Sequence, residues 1–186
     1  VISGDDVVAG IEDIFSCSHE IYDVWRTDTD VIPRMAEDRF VADEGYLKSM
    51  KESASTILAR NKLSAKDFSR LIAYGPSARK QSDVCRALGF DDKTQLAPSF
   101  FGQIGDTGCA FVPMMLAGAL EKAKAGEQLL AVSYGEGSDS LFIKMLKDAD
   151  KRPGTRGLST YLSSKKILPL YLTYLRWRGL VSVAAG

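Results

Sequence analysis

Apolar positions change their spacing several times along the chain, and each change marks an element. Residues 6 to 19, DVVAGIEDIFSCSH, are β-branched and apolar and predict a strand. Residues 20 to 40, EIYDVWRTDTDVIPRMAEDRF, mix aromatic, acidic and proline positions without a period and predict an excursion over the surface. From Glu44 to Asn61, Tyr46, Leu47, Met50, Ala54, Ile57 and Leu58 recur at helical spacing, with Asp43 placed as N-cap and ARNKLS as the end. FSRLIAYG is a short buried strand, and Pro76 with Ser77 then opens a helix that runs to Leu88 and stops at Gly89. Residues 90 to 105 form a loop holding Pro98, Phe100 and Phe101. DTGCAFVPMMLAGALEKAKAG predicts a helix that is apolar over much of its surface and closed by Gly126, with Pro113 in its first turns, where proline is tolerated. QLLAVSYG and SDSLFIKML are two further strands, joined by a bare turn whose Gly135 and Gly137 suit either positive φ or a ligand lying against the backbone.

Alternating strands and helices imply an α/β fold, a mixed and largely buried sheet with helices on its faces. In such sheets ligands gather where strands end and helices begin. A chain of 186 residues can bury roughly 70% of its unfolded surface, enough for one cored domain, placed at residues 1–150. The remainder, 151–186, is an aromatic and basic tail that suits a protein partner better than nucleic acid. Lysine plus arginine equal aspartate plus glutamate at 24 each, so no global basic field argues for nucleic acid and any anion site must be local. No apolar run approaches the ~20 residues of a membrane span, and no signal peptide opens the chain. Cys17, Cys85 and Cys109 are dispersed and odd in number, which fits a reducing, cytoplasmic setting and no metal site. VISGDD begins as a strand end with nothing before it, as expected of a piece of a longer protein.

Three junctions could carry chemistry. In AYGPSARKQ, Tyr74 ends a strand and Arg79 and Lys80 fall in the first turns of a helix, where cations are disfavoured unless an anion binds. The bland alternative is two solvated side chains bending away. In GQIGDTGCAF, Asp106 or Thr107 caps the long helix, and Cys109 is either a nucleophile near a helix N-terminus or a small apolar filler. The third junction is the GEG turn, bare either for its backbone geometry or because a ligand lies against it. His19 is the only histidine and suits a hydrogen-bonded structural role, with no metal partners at ligand spacing. Asp23, Asp28 and Asp30 suit a solvated loop face.

These junctions together resemble the second half of the thiolase superfamily, and within it the 3-hydroxy-3-methylglutaryl-CoA synthases. SHEIYDVWRTD and DEGYLKSMKESA are similar to the family's aromatic-acidic segment and following helix. YGPSARKQSDVCRALGF resembles its H-x-P-x-x-K helix entry. GDTGCAFVPMMLAGALEKAKAGEQLLAVSYGEGSDSLFI resembles its G-N-T segment, long helix and glycine hairpin. The resemblance implies a thiolase-like half, a mixed five-stranded sheet with helices on both faces, part of a layered αβαβα fold. It puts Tyr74 at the family's histidine, Asp106 at its asparagine, and Arg79, with Lys80 beside it, at the lysine facing CoA. It puts Gly135 and Gly137 at the hairpin glycines, against which an acyl-thioester end would lie. Tyrosine is a neutral donor where histidine shuttles protons, and aspartate removes an amide donor. The implied activity is acyl-CoA carbon–carbon condensation or cleavage, with coenzyme A thioester as substrate and no covalently bound cofactor. An N-terminal half would supply the nucleophilic cysteine. The alternatives are a non-catalytic thiolase-like subunit that scaffolds an active partner, and a hydrolase using Cys109. The resemblance further implies dimers of thiolase-fold units. YLTYLRWRGL is similar to sequence that joins an OB-fold, zinc-ribbon acyl-CoA-binding module.

Overall fold

The central strands are apolar on both faces, and that decides the architecture. β1 (Ala9–Ser18) is followed by a small hairpin of β2 (Val24–Trp25) and β3 (Arg34–Met35), then by β4 (Arg70–Ala73), β5 (Gln128–Tyr134) and β6 (Gly137–Met145). β1, β6, β5 and β4 form one mixed sheet in that order. β4 and β5 run parallel, whereas β5–β6 and β6–β1 are antiparallel. This computed structural model describes Gly4, residues 7–149 and residues 156–181; the expected boundary at 150/151 lies outside them. The chain divides into two compact units, 1–155 and 156–186.

Strand alternation sends successive side chains to opposite faces. Leu71, Ala73, Leu130, Val132 and Phe142 face one side with Met50, Ile57, Phe68 and Val84. Ile72, Leu129, Ala131, Ile143 and Met145 face the other with Phe111 and Met115. Each of these side chains larger than alanine contributes about 1.5–3 kcal/mol when fully buried. The first layer comes from α2 (Lys48–Asn61) and α3 (Ala78–Ala87), the second from α5 (Phe111–Leu120). Helices on both faces of a mixed sheet agree with the sequence expectation. The strand count differs: the sheet has four strands among the described residues. The fifth place is a single parallel bridge, Leu71 with Leu96, in which Leu71 N donates to Gln95 O and Ala97 N to Leu71 O, both at 2.8 Å. Proline at 98 follows at once and ends the pairing.

Three boundaries also shift. The helix expected from Asp43 begins earlier, at α1 (Asp38–Phe40), because the Glu37 carboxylate accepts from Arg39 N at 3.0 Å and Phe40 N at 2.7 Å. A π-helical run, Val41–Leu47, connects α1 to α2, so Asp43 lies inside the helix and is not its cap. Lys62 then closes α2 in the left-handed conformation (φ 55°). The loop 90–105 contains α4 (Phe101–Ile104). The helix after Asp106 starts as a 3₁₀ turn, Gly108–Ala110, and is α-helical only over α5, because Gly105 and Gly108 adopt positive φ.

Serine hydroxyls join α2 to β6. Ser140 Oγ donates to Ser53 Oγ at 2.8 Å, and Ser53 and Ser138 lie 2.7 Å apart. Ser138 gives its proton to Ser133 O at 2.7 Å, so Ser53 is the donor to Ser138. In the second unit, α6 (Leu158–Ser163) precedes α7 (Tyr171–Trp177), where Tyr171 and Tyr174 stack and Trp177 is exposed.

Candidate functional site

β4 and β5 end side by side, and the aromatic residues at their ends, Tyr74 and Tyr134, stack with ring centroids 6.4 Å apart. Tyr46, from the π-helical run, meets Tyr134 edge-on at 5.3 Å and donates its hydroxyl proton to Tyr74 O at 2.7 Å. Gly45 makes this approach possible: a Cβ there would lie 2.7 Å from the Tyr134 hydroxyl. The wide turn of the helix and its glycine therefore shape the site, as π-helical insertions often do.

The three tyrosines line a cavity of about 660 Å³, together with Asp23, Asp43, Lys80 and Asp106. Tyr74 donates its hydroxyl proton to Asp106 Oδ2 at 2.8 Å, while Asp106 Oδ1 accepts from Gly108 N at 2.8 Å. One carboxylate thus both turns the chain into the 3₁₀ start and fixes the phenol. Burial pushes the Tyr74 phenol well above its ordinary range, and the Asp106 hydrogen bond and charge add to this. Burial likewise raises Tyr46. Tyr134 is pushed up to about 12 by burial first and then by the neighbouring Asp23 carboxylate. All three phenols are neutral donors at physiological pH.

Tyr74, Lys80 and Asp106 come together on this cavity, whereas Arg79 is exposed and outside its lining. Ser77 caps α3, accepting from Lys80 N at 3.3 Å. Gly135 and Gly137 also lie outside the lining. The bare turn has a packing cause. At Gly137 (φ 144°) a Cβ would sit 2.2 Å from Cys17 O and 2.9 Å from Ser18 Cα, so the end of β1 occupies that space. The other positive φ belongs to Glu136 (53°) and not to Gly135, which faces open space. Cys109 is exposed, not a core filler.

Sequence reasoning missed Asp23, Tyr46 and Tyr134. Of the three aspartates expected on a solvated loop face, Asp28 is exposed, Asp30 is half-buried and held by Arg34 and Thr27, and Asp23 lines the cavity. The signal available was the aromatic ending both parallel strands, Tyr74 and Tyr134. His19 also has a partner that spacing hid, Glu52, with the Cys17 thiol nearby.

No family model matches the chain. A hydroxymethylglutaryl-CoA synthase of Methanothermobacter thermautotrophicus is 28% identical over 188 residues, which cover 99% of this chain and 54% of that protein. One of Methanosphaera stadtmanae is 27% identical, covering 98% and 53%. Among solved structures, 3-oxoacyl-[acyl-carrier-protein] synthase III from Aquifex aeolicus superposes with a TM-score of 0.64 at 16% identity, over 75% of this chain and 46% of that one. An HMG-CoA synthase complexed with CoA gives 0.62 at 17%, over 78% and 41%. The chain has a thiolase-like fold, the size of one half of these enzymes.

The half spans about half the length of the curated relatives it matches. Its relatives in sequence are the hydroxymethylglutaryl-CoA synthases whose motifs it resembles. No helix among the described residues of the thiolase-like half or its tail is long and apolar enough to cross a membrane.

Proposed function

We propose that this thiolase-like half forms one wall of an acyl-CoA condensing site, completed by a second half that brings the nucleophilic cysteine. The observation that carries this is the Tyr74–Asp106 pair, a fixed phenol on the rim of a cavity large enough for a small ligand. The similarity to hydroxymethylglutaryl-CoA synthases supports the reaction class. In the proposed site a thioester carbonyl enters beside Tyr74 and takes a hydrogen bond from its neutral phenol, which stabilises negative charge developing on that oxygen. Asp106 holds the ring in place and releases the proton when the carbonyl oxygen becomes the stronger acceptor. Lys80 on the rim, and Arg79 beyond it, meet the CoA phosphates at the start of α3, where the helix N-terminus adds attraction. Gly135, exposed and unobstructed, is where the acyl end passes the turn. The need for a second half is supported by α5, which is apolar all round although Pro113 and Ala117 on its outer side are exposed; such helices are ordinarily buried. Dimers of the completed unit, and an OB-fold, zinc-ribbon partner at the aromatic tail, belong to the same proposal.

The test is Tyr74→Phe in the protein containing both halves, read as turnover of acyl-CoA. Loss of one such donor should lower kcat by about 10²–10³. Unchanged kcat removes Tyr74 from the reaction. One observation favours the rival reading, a non-catalytic thiolase-like subunit: the chain's sole histidine is paired to Glu52 outside the cavity, so this wall offers no imidazole. That reading is the one left standing if Tyr74→Phe and Asp106→Ala both leave turnover intact.

A further inference from the structure

Cys17 and His19 stand two residues apart on extended chain, so both side chains leave on the same side of the sheet. α2 crosses that side, with Ser49 and Glu52 one turn apart on the helix face that meets it. The Cys17 thiol points at Ser49 O and Ser138 O, each 3.6 Å away, and His19 Nε2 lies 3.0 Å from Glu52 Oε2. The three donor groups, one sulfur, one imidazole nitrogen and one carboxylate oxygen, all lie within 4.8 Å of one another.

We propose that Cys17, His19 and Glu52 form a three-residue zinc(II) site. Thiolate, imidazole and carboxylate together are a donor set that zinc accepts, at about 2.3 Å from sulfur and about 2.0–2.2 Å from nitrogen and oxygen. A tetrahedron of those bonds has edges of about 3.3–3.6 Å; nitrogen and oxygen, 3.0 Å apart, are already at that spacing, so closure requires the sulfur to draw in by roughly 1 Å. Their exposure allows that movement: Cys17 and His19 are half-buried and Glu52 is exposed. The same exposure gives the ion an entry path and leaves the fourth position to water. Binding forms one Zn–S, one Zn–N and one Zn–O bond, the Cys17 thiol proton passes to solvent, and nothing is oxidised or reduced. None of the three residues lines the cavity that holds Tyr74. They join the end of β1 to α2, and His19 N donates to Glu136 O at 3.2 Å, so the ion clamps these elements beside the hairpin turn.

The test is a cobalt(II) titration of the metal-stripped, full-length protein, followed by absorbance. The expected result is one equivalent bound with a thiolate-to-cobalt charge-transfer band, bleached when zinc(II) is added. Cys17→Ser should abolish the band, Cys109→Ser should leave it intact, and Glu52→Gln should keep the band while weakening affinity at least tenfold. No band at millimolar cobalt overturns the site, as does a band that persists in Cys17→Ser. If Cys17→Ser fails to fold, by circular dichroism, His19→Gln decides: cobalt affinity equal to that of the parent overturns the proposal.

Discussion

Gly137→Ala should unfold the edge of the sheet, while Gly135→Ala, two residues away in the same turn, should not. The added methyl at 137 would lie 2.2 Å from Cys17 O, against 3.4–4 Å for ordinary contact, and its neighbours there are backbone atoms. Backbone cannot swing aside as a side chain can, so β1 must retreat by about 1 Å where Cys17 pairs with Ser138 and Ser18 with Gly137. Two weakened ladder bonds cost about 1 kcal/mol each. A non-glycine residue at φ 144° adds about 1–3 kcal/mol. The total is roughly 3–5 kcal/mol, or a fall in Tm of about 6–20 °C for a chain of this size. At Gly135 no atom lies within 4 Å of the built Cβ, so the change stays within about 0.5 kcal/mol. Chemical and thermal denaturation of the two variants, side by side, checks the difference. Gly137→Ala within 0.5 kcal/mol of the parent, on the scale that exposed substitutions show, refutes the packing account. So does equal damage from Gly135→Ala. The pair also separates packing from substrate contact: if the acyl end lies against the turn, Gly135→Ala lowers turnover without lowering Tm.

Stability should fall above pH 10, because Tyr134 titrates at about 12 when folded and near 10 when unfolded. The unfolded chain releases its proton first, so the contribution is complete below pH 10 and is lost as pH rises through 12; denaturation at pH 9 and 11 should show this, and Tyr134→Phe should reduce the loss, leaving the part due to Tyr46 and Tyr74. Asp106→Asn removes the charge and the carboxylate acceptor that help raise the Tyr74 phenol, so its titration should move down toward 10, seen by ultraviolet phenolate absorbance. Ser53→Ala leaves Ser140 without its acceptor and Ser138 without its donor in a buried site, and should cost about 1–3 kcal/mol in urea denaturation.

The sequence by itself determined the elements whose period is local. Leu129 to Val132 reads as a strand buried on both faces, and Met50, Ala54 and Ile57 mark the buried stripe of a helix, because side-chain period follows directly from backbone geometry. The family resemblance names both Tyr74 and Asp106, and the structure sets them in a 2.8 Å hydrogen bond. Tertiary structure decided what depends on residues far apart along the chain. The excursion after β1 stays largely exposed, as its composition predicts, yet Asp23 and Met35 on it line the cavity. Gly137 is small because Cys17, over a hundred residues earlier, occupies the space beside it. His19 gains Glu52 as a neighbour only when α2 crosses the sheet. Spacing encodes which face a side chain takes; it does not encode what the fold brings to that face.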